Sequence, residues 1–262
     1  MRLQRLGAAI VWQAYKRTFQ FPLVLRLDNG LLLYADPSCR NSTAAIYTRI
    51  YESTYIQFLR RECVRGGSIV DVGAHIGIYT LLLADLFESG VCLEPAPDAH
   101  SILVKNLGLN GLHRFNALRL GASSASGRAV LTAEGPYNGE ARIVADDAVA
   151  AIRFDIEITT VDALIQPSWK VTFIKIDTEG HEPEVIAGAV ETLRRSPEAL
   201  VLFENNPGGR AECMNRLEGL GFRCFALDES GNVSQSAADF KESINALAAG
   251  PSHPLSQRLR AL

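Results

Sequence analysis

Hydrophobic positions along this chain follow two patterns in turn. Short unbroken apolar runs, at 68–72, 91–93, 115–120, 171–176 and 199–204, have the length and lack of alternation of strands buried on both faces. Between them the apolar residues move to helical spacing. A helix follows Gly77 and ends near Ser89-Gly90. Pro95-Ala96-Pro97-Asp98 halts a strand and opens a helix that carries Ile102, Leu103 and Leu107 and stops at Asn110-Gly111. After Pro183, residues Val185, Ile186, Ala189, Val190 and Leu193 form one continuous helical stripe, and another helix runs from Arg210 to about Leu220. Strand and helix in this alternation predict an α/β fold with a mostly parallel sheet and right-handed crossovers. Residues 222–227 and 233–236 flank the turn Asp228–Asn232 and predict a closing antiparallel hairpin, a departure from plain dehydrogenase topology.

The two ends of this core are less regular. Residues 3–18 fit a helix with Leu3, Leu6, Ile10 and Ala14 on one side. Residues 23–27 and 31–34 flank Asp28-Asn29-Gly30 as a hairpin, and residues 42–62, with Ile46, Ile50, Tyr51, Tyr55, Phe58 and Leu59, fit a second helix. Residues 1–62 are therefore expected to be an extension or lid, and residues 63–262 the main domain. Between the third strand and Val171 lie strands at 129–132 and 154–160 and a loop at 135–139. Loops of this kind beside a sheet commonly shape the site of a second substrate.

The chemistry concentrates at two turns. Asp71-Val72-Gly73-Ala74-His75-Ile76-Gly77 reads as strand, tight turn, helix, with Asp71 as a fixed carboxylate at the strand end. Gly73 frees the turn, and Gly77 lets the next helix pack closely on the strand it has just left. The helix start offers unpaired N–H groups to an anionic group. A dinucleotide fingerprint needs G-x-G-x-x-G, and here the spacing is G-x-x-x-G with an imidazole, His75, where a pyrophosphate would lie. A smaller carboxylate-bearing ligand, such as the methionine end of S-adenosylmethionine, fits. Glu94 closes the next strand, where an acidic side chain holds a ribose diol.

The second turn, Asp177-Thr178-Glu179-Gly180-His181-Glu182-Pro183, gathers four ionisable groups at a strand-to-helix loop. In a doubly wound sheet that edge binds ligands, so Asp177 is expected beside Gly73 and Glu94. Glu182 is expected to cap the helix. Asp177, Glu179 and Glu182 are also oxygen ligands suited to a hard cation, although no metal is assigned.

Composition narrows the classes. At 262 residues, 47 % hydrophobic and 21 % charged, the chain can bury a full core. A net charge of −3 without a run of Lys and Arg gives no electrostatic footprint for nucleic acid, which is not expected as a partner. The five cysteines, Cys39, Cys63, Cys92, Cys213 and Cys224, contain no C-x-x-C pair and fit neither a disulfide framework nor a zinc site, which points to a reducing cytoplasm. The residues from Leu6 to Trp12 make too short an apolar run for an export signal. The N-terminal helix reads as a cap on the core, with contact to a membrane surface, through Arg2, Arg5, Lys16 and Arg17, as the sharper alternative.

Asp71 to Gly77, Glu94-Pro95 and Lys175 to Glu182 together resemble the FkbM family of S-adenosylmethionine-dependent methyltransferases, as do Asn106, Asn110 and the strand ending in Glu204. The resemblance spans roughly residues 47 to 236. It implies the Rossmann-like class I methyltransferase sheet, S-adenosylmethionine as cofactor, and O-methylation of a hydroxyl on a sugar, polyketide, glycan or other small molecule. The cofactor residues it implies are Asp71, Gly73, Ala74, His75, Gly77, Glu94 and Asp177. The family pattern usually has Asn where this chain has His75. Both donate a hydrogen bond to a carboxylate, but the ring is larger and titrates. Asp177 and His181 are the candidate bases for an alcohol acceptor, with Glu179 as the third catalytic candidate, and His181 also reads as a solvent-facing loop residue. A catalytically silent binding module and a nucleotide-binding oxidoreductase are the alternatives.

Overall fold

Successive residues of the apolar runs feed opposite faces of one sheet. The computed structural model describes residues 11–19, 21–37, 39, 53–133, 141–144, 152–228 and 230–260. Its strands are β1 (Leu23–Arg26), β2 (Leu32–Ala35), β3 (Ser68–Val72), β4 (Ser89–Leu93), β5 (Phe115–Leu118), β6 (Gly121–Ala122), β7 (Gly127–Ala133), β8 (Arg142–Val144), β9 (Ile152–Thr159), β10 (Val171–Ile176), β11 (Leu200–Glu204), β12 (Arg223–Leu227), β13 (Val233–Ser234) and β14 (Asn245–Ala249). The main sheet has the order β13-β12-β14-β11-β10-β3-β4-β5. Neighbours from β11 to β5 are parallel. Ile69, Cys92, Phe173 and Leu202 enter one buried cluster, and Val70, Val91, Ile174 and Val201 enter the other. This is the mostly parallel, Rossmann-like arrangement that the alternation predicts.

The helices are α1 (residues 11–18), α2 (Ser53–Glu62), α3 (Ile78–Leu83), α4 (Pro97–Leu109), α5 (Val161–Leu164), α6 (Glu182–Ala187), α7 (Val190–Arg194), α8 (Arg210–Gly219), α9 (Ala237–Glu242) and α10 (Pro254–Leu259). Several boundaries differ from the expected ones. The helix after Gly77 ends at Leu83 and a single 3-10 turn, Ala84–Leu86, and Ser89-Gly90 already belong to β4. Gly90 lies between β3 and β5, where a Cβ would come within 2.6 Å of Ile69, so this glycine serves sheet packing and not a helix end. The stripe after Pro183 is two short helices parted at Gly188-Ala189, and a Cβ at Gly188 would lie 2.0 Å from the Ser123 carbonyl oxygen. The closing hairpin β12–β13 forms, but a further strand that the sequence pattern does not announce, β14, enters antiparallel between β11 and β12 and carries the hairpin on the edge.

The stretch between β5 and β10 builds a second sheet, ordered β6-β9-β7-β8. The loop expected at 135–139, residues 3–10 of the helix expected over 3–18 and residues 42–52 of the helix expected over 42–62 lie outside the described residues. No described helix is long and apolar enough to cross a membrane. All five cysteines are buried.

The N-terminal hairpin is tied to the main core. Leu33 of β2 and Phe58 and Leu59 of α2 share the cluster that contains Ile69 and Leu103. Asn110 accepts from the Leu32 amide at 2.7 Å and donates to the Leu32 carbonyl at 2.7 Å. Asn106, wholly buried, accepts from the Tyr34 amide at 2.6 Å and donates to the Ile76 carbonyl at 2.8 Å, joining the hairpin to the glycine turn. Asn106→Leu strands both backbone groups, and the expected loss is about 2–4 kcal/mol of folding stability by urea denaturation. A loss under about 0.5 kcal/mol, the size of a neutral surface substitution, would show that the bridge contributes nothing.

Candidate active site

The turn after β3 is shaped by a contact between two backbones. Gly73 has φ +68°, and a Cβ there would lie 1.8 Å from the carbonyl oxygen of Asp177. The Asp177 amide in turn donates to the Val72 carbonyl at 3.1 Å. The sequence therefore needs glycine at 73 so that the turn and the acidic loop can touch. Gly77, at φ +85°, has the side chain of Leu103 over it, with the Leu103 Cδ1 2.6 Å from a would-be Cβ. The helix that Gly77 opens touches the strand it has left through the Thr80–Asp71 hydrogen bond, while α4 closes on Gly77 itself.

His75 takes a left-handed backbone, φ +50°, which turns its amide toward β4. That amide donates to Glu94 Oε2 at 2.8 Å, and the Ala96 amide donates to Oε1 at 2.9 Å. Glu94 is only 6 % exposed, and burial outweighs the two amides and pushes its carboxyl up to about 7. Both ring nitrogens of His75 are shielded from solvent without a hydrogen-bond partner. Burial, and then the Lys175 ammonium, lower the imidazole to about 4, against a smaller opposing pull from Asp177, so the ring is neutral. Ala74 is buried beside it.

Asp71 does not open onto the crevice. It lies within β3, wholly buried, accepting from the Thr80 hydroxyl at 2.7 Å with Lys175 Nζ at 3.6 Å. Lys175 is the group that sequence reasoning left without a role. Its Nζ donates to the Gly73 carbonyl at 2.9 Å, sits 3.2 Å from Asp177 Oδ2, and lies over the Tyr79 ring at 5.5 Å. The signal in the sequence is one lysine in an otherwise apolar strand, since a buried ammonium needs partners.

In the loop after β10, Glu182 is not a helix cap. It is wholly buried, and its Oε1 accepts from the Thr178 amide and hydroxyl, each at 2.8 Å, and from the Gly180 amide at 3.2 Å. Those donors precede α6, so Glu182 clasps the loop that carries Asp177 and Glu179. Glu179 is held at φ +56°. His181 faces the second sheet, with Nε2 2.9 Å from the Ser123 hydroxyl and Nδ1 3.9 Å from Glu184 Oε2. One carboxylate oxygen each from Asp177, Glu179 and Glu204 lie within 4.8 Å of one another. The oxygen set expected from the sequence had Glu182 in the place that Glu204 takes. Burial, with the charges of Glu179, Asp177 and Glu182, pushes the Glu204 carboxyl up to about 8.

A glycine turn, a buried acid after the next strand and an acidic loop therefore meet at the carboxyl edge of a doubly wound sheet, the edge at which such sheets bind ligands. Residues 71–224 match the methyltransferase FkbM domain, and the chain belongs to that family. Its chemistry is therefore methyl transfer. The methyltransferase sdnD of Sordaria araneosa is 27 % identical over 188 residues, covering 59 % of this chain and 73 % of that protein. Among solved structures, the methyltransferase FkbM from Methylobacillus flagellatus KT superposes with a TM-score of 0.48 at 13 % identity, over 94 % of this chain. This chain spans 59 % of the length of that one. A SAM-dependent methyltransferase from Aquifex aeolicus superposes at 0.42 and 14 % identity, covering 75 % of this chain and 88 % of its own.

The Glu94 carboxyl, raised from 4.5 to about 7 on folding, makes its full contribution to stability below pH 4.5 and loses it as pH climbs through 7. His75, lowered from 6.5 to about 4, acts in the opposite sense, costing stability as pH falls through that range. Glu94→Gln removes only the first effect. Relative to wild type, this variant should gain about 3 kcal/mol between pH 4.5 and 7.5, at about 1.4 kcal/mol per pH unit, in urea denaturation. A difference that does not change with pH would contradict it.

Proposed function

We propose that this methyltransferase uses S-adenosylmethionine and methylates a hydroxyl of a sugar, polyketide or other small molecule. The observation that carries the cofactor is the unpartnered ring of His75, whose backbone amide binds the buried Glu94 carboxylate, at a turn whose spacing rejects a pyrophosphate. Each Glu94 oxygen takes one amide hydrogen and has a lone pair left for a ribose hydroxyl. The neutral imidazole would donate from one ring nitrogen to the carboxylate of the cofactor's amino-acid end. Ala74 and the Gly73 and Gly77 turn shape the wall beside it.

When bound, the cofactor supplies a methyl group on a sulfonium sulfur, which becomes a neutral thioether as the methyl leaves. The chain's own task is to hold an acceptor oxygen in line and dry, and to take the proton that this oxygen gives up. Asp177 stands at the crevice with Oδ2 held by Lys175, which leaves Oδ1 to receive that proton. His181, turned to Ser123, positions the loop from the side of the second sheet.

S-adenosylhomocysteine at 100 times its dissociation constant should add about 2.7 kcal/mol of stability, while NAD adds none. Equal stabilisation by NAD in a thermal shift assay would sink the cofactor assignment. Asp177→Asn keeps the shape and removes the charge, and turnover with an accepted alcohol should fall about 100-fold with S-adenosylhomocysteine affinity retained. Unchanged turnover would remove Asp177 as the base.

A further inference from the structure

We infer that Asp177, Glu179 and Glu204 form a binding site for one divalent cation of the hard, oxygen-seeking kind, with the acceptor hydroxyl completing its ligand set. The three carboxylates come from different places in the fold. Asp177 and Glu179 belong to the loop after β10, and Glu204 ends the neighbouring strand β11, paired to β10 in parallel. One oxygen from each lies within 4.8 Å of the others. Oxygens on opposite sides of a bound ion are about 4.2 Å apart for Mg²⁺ and about 4.8 Å for Ca²⁺, twice their metal–oxygen distances, so the cluster has the span of one coordination sphere.

Acidic residues gathered at a surface do not by themselves make a site, and a separate feature points to a ligand here. Glu182 lies outside the cluster and is wholly buried. Its Oε1 is saturated by the loop, whereas its Oε2 is shielded from solvent, has no hydrogen-bond partner, and stands against the Glu204 carboxylate. Glu204 Oε2 is likewise shielded and without a partner. Lone pairs brought together with no donor between them are costly unless something positive joins them. The loop is also built to keep Glu179 in place, since its left-handed backbone lies inside the clasp that Glu182 makes with Thr178 and Gly180. All-oxygen donors select Mg²⁺, Mn²⁺ or Ca²⁺ over the softer metals.

This inference rests on the methyl-transfer reading for its use. An acceptor hydroxyl that joins the ligand set loses its proton more easily, and that proton passes to the Asp177 oxygen that does not hold the ion. The rival is a proton shared between Glu182 and Glu204, which needs no metal.

The test is Mn²⁺ binding to the full chain, read as loss of the free-ion electron paramagnetic resonance signal, alongside calorimetry with S-adenosylhomocysteine. One Mn²⁺ per chain is expected, displaced by Mg²⁺ or Ca²⁺. Glu204→Gln and Glu179→Gln should each weaken it by about tenfold or more, while Glu212→Gln, an exposed acid paired with Arg216 on α8, leaves it unchanged. S-adenosylhomocysteine affinity should stay the same in both cluster variants. No Mn²⁺ bound at millimolar concentration, or binding that neither cluster substitution weakens, would overturn the inference and favour the shared proton. Absence of S-adenosylhomocysteine binding together with normal Mn²⁺ binding would instead overturn the cofactor assignment and leave the cation site standing.

Discussion

The structure depends on one close approach, the contact of the Gly73 and Asp177 backbones under the ammonium of Lys175. A buried ammonium is costly to strip of water, and this one recovers the cost from the Gly73 carbonyl and from carboxylates on either side, Asp71 in β3 and Asp177 beyond β10. The three partners belong to two adjacent parallel strands and the turns that follow them. One side chain thereby fixes the separation of the glycine turn from the acidic loop. Removing it would leave the buried Asp71 with the Thr80 hydroxyl as its donor among the described residues.

Around that contact the rest of the chain acts as support. Asn106 links the glycine turn to the N-terminal hairpin, and Glu182 fixes the loop from within. The second sheet reaches the same loop through Ser123, which meets His181 and, by its carbonyl, the bare face of Gly188. The break between α6 and α7 is therefore one place where the second sheet touches the helices of the main domain. The turn, the loop and this contact lie together at the carboxyl edge of β3 and β10.

The parallel core was legible because its strands are buried on both faces and so appear as unbroken apolar runs. The glycine turn, Glu94 and the acidic loop were legible because each follows such a run at the edge where ligands bind. Strand β14 was not, since Asn245-Ala246-Leu247-Ala248-Ala249 has no β-branched residue and owes its conformation to the gap between β11 and β12. Glu182 looked like a cap because an acid before Pro183 commonly is one, and only the folded loop reveals that its oxygen turns backward. Lys175 and Glu204 take their meaning from neighbours across the sheet, which spacing along the chain does not record.

The central claim, that the crevice between the glycine turn and Glu94 holds S-adenosylmethionine, is tested most directly by a crystal structure of the protein with S-adenosylhomocysteine. The account predicts the ribose hydroxyls on the Glu94 carboxylate and the amino-acid end beside the His75 ring, with the thioether sulfur facing Asp177. A ligand bound elsewhere, with Glu94 still touched only by the amides of His75 and Ala96, would contradict it.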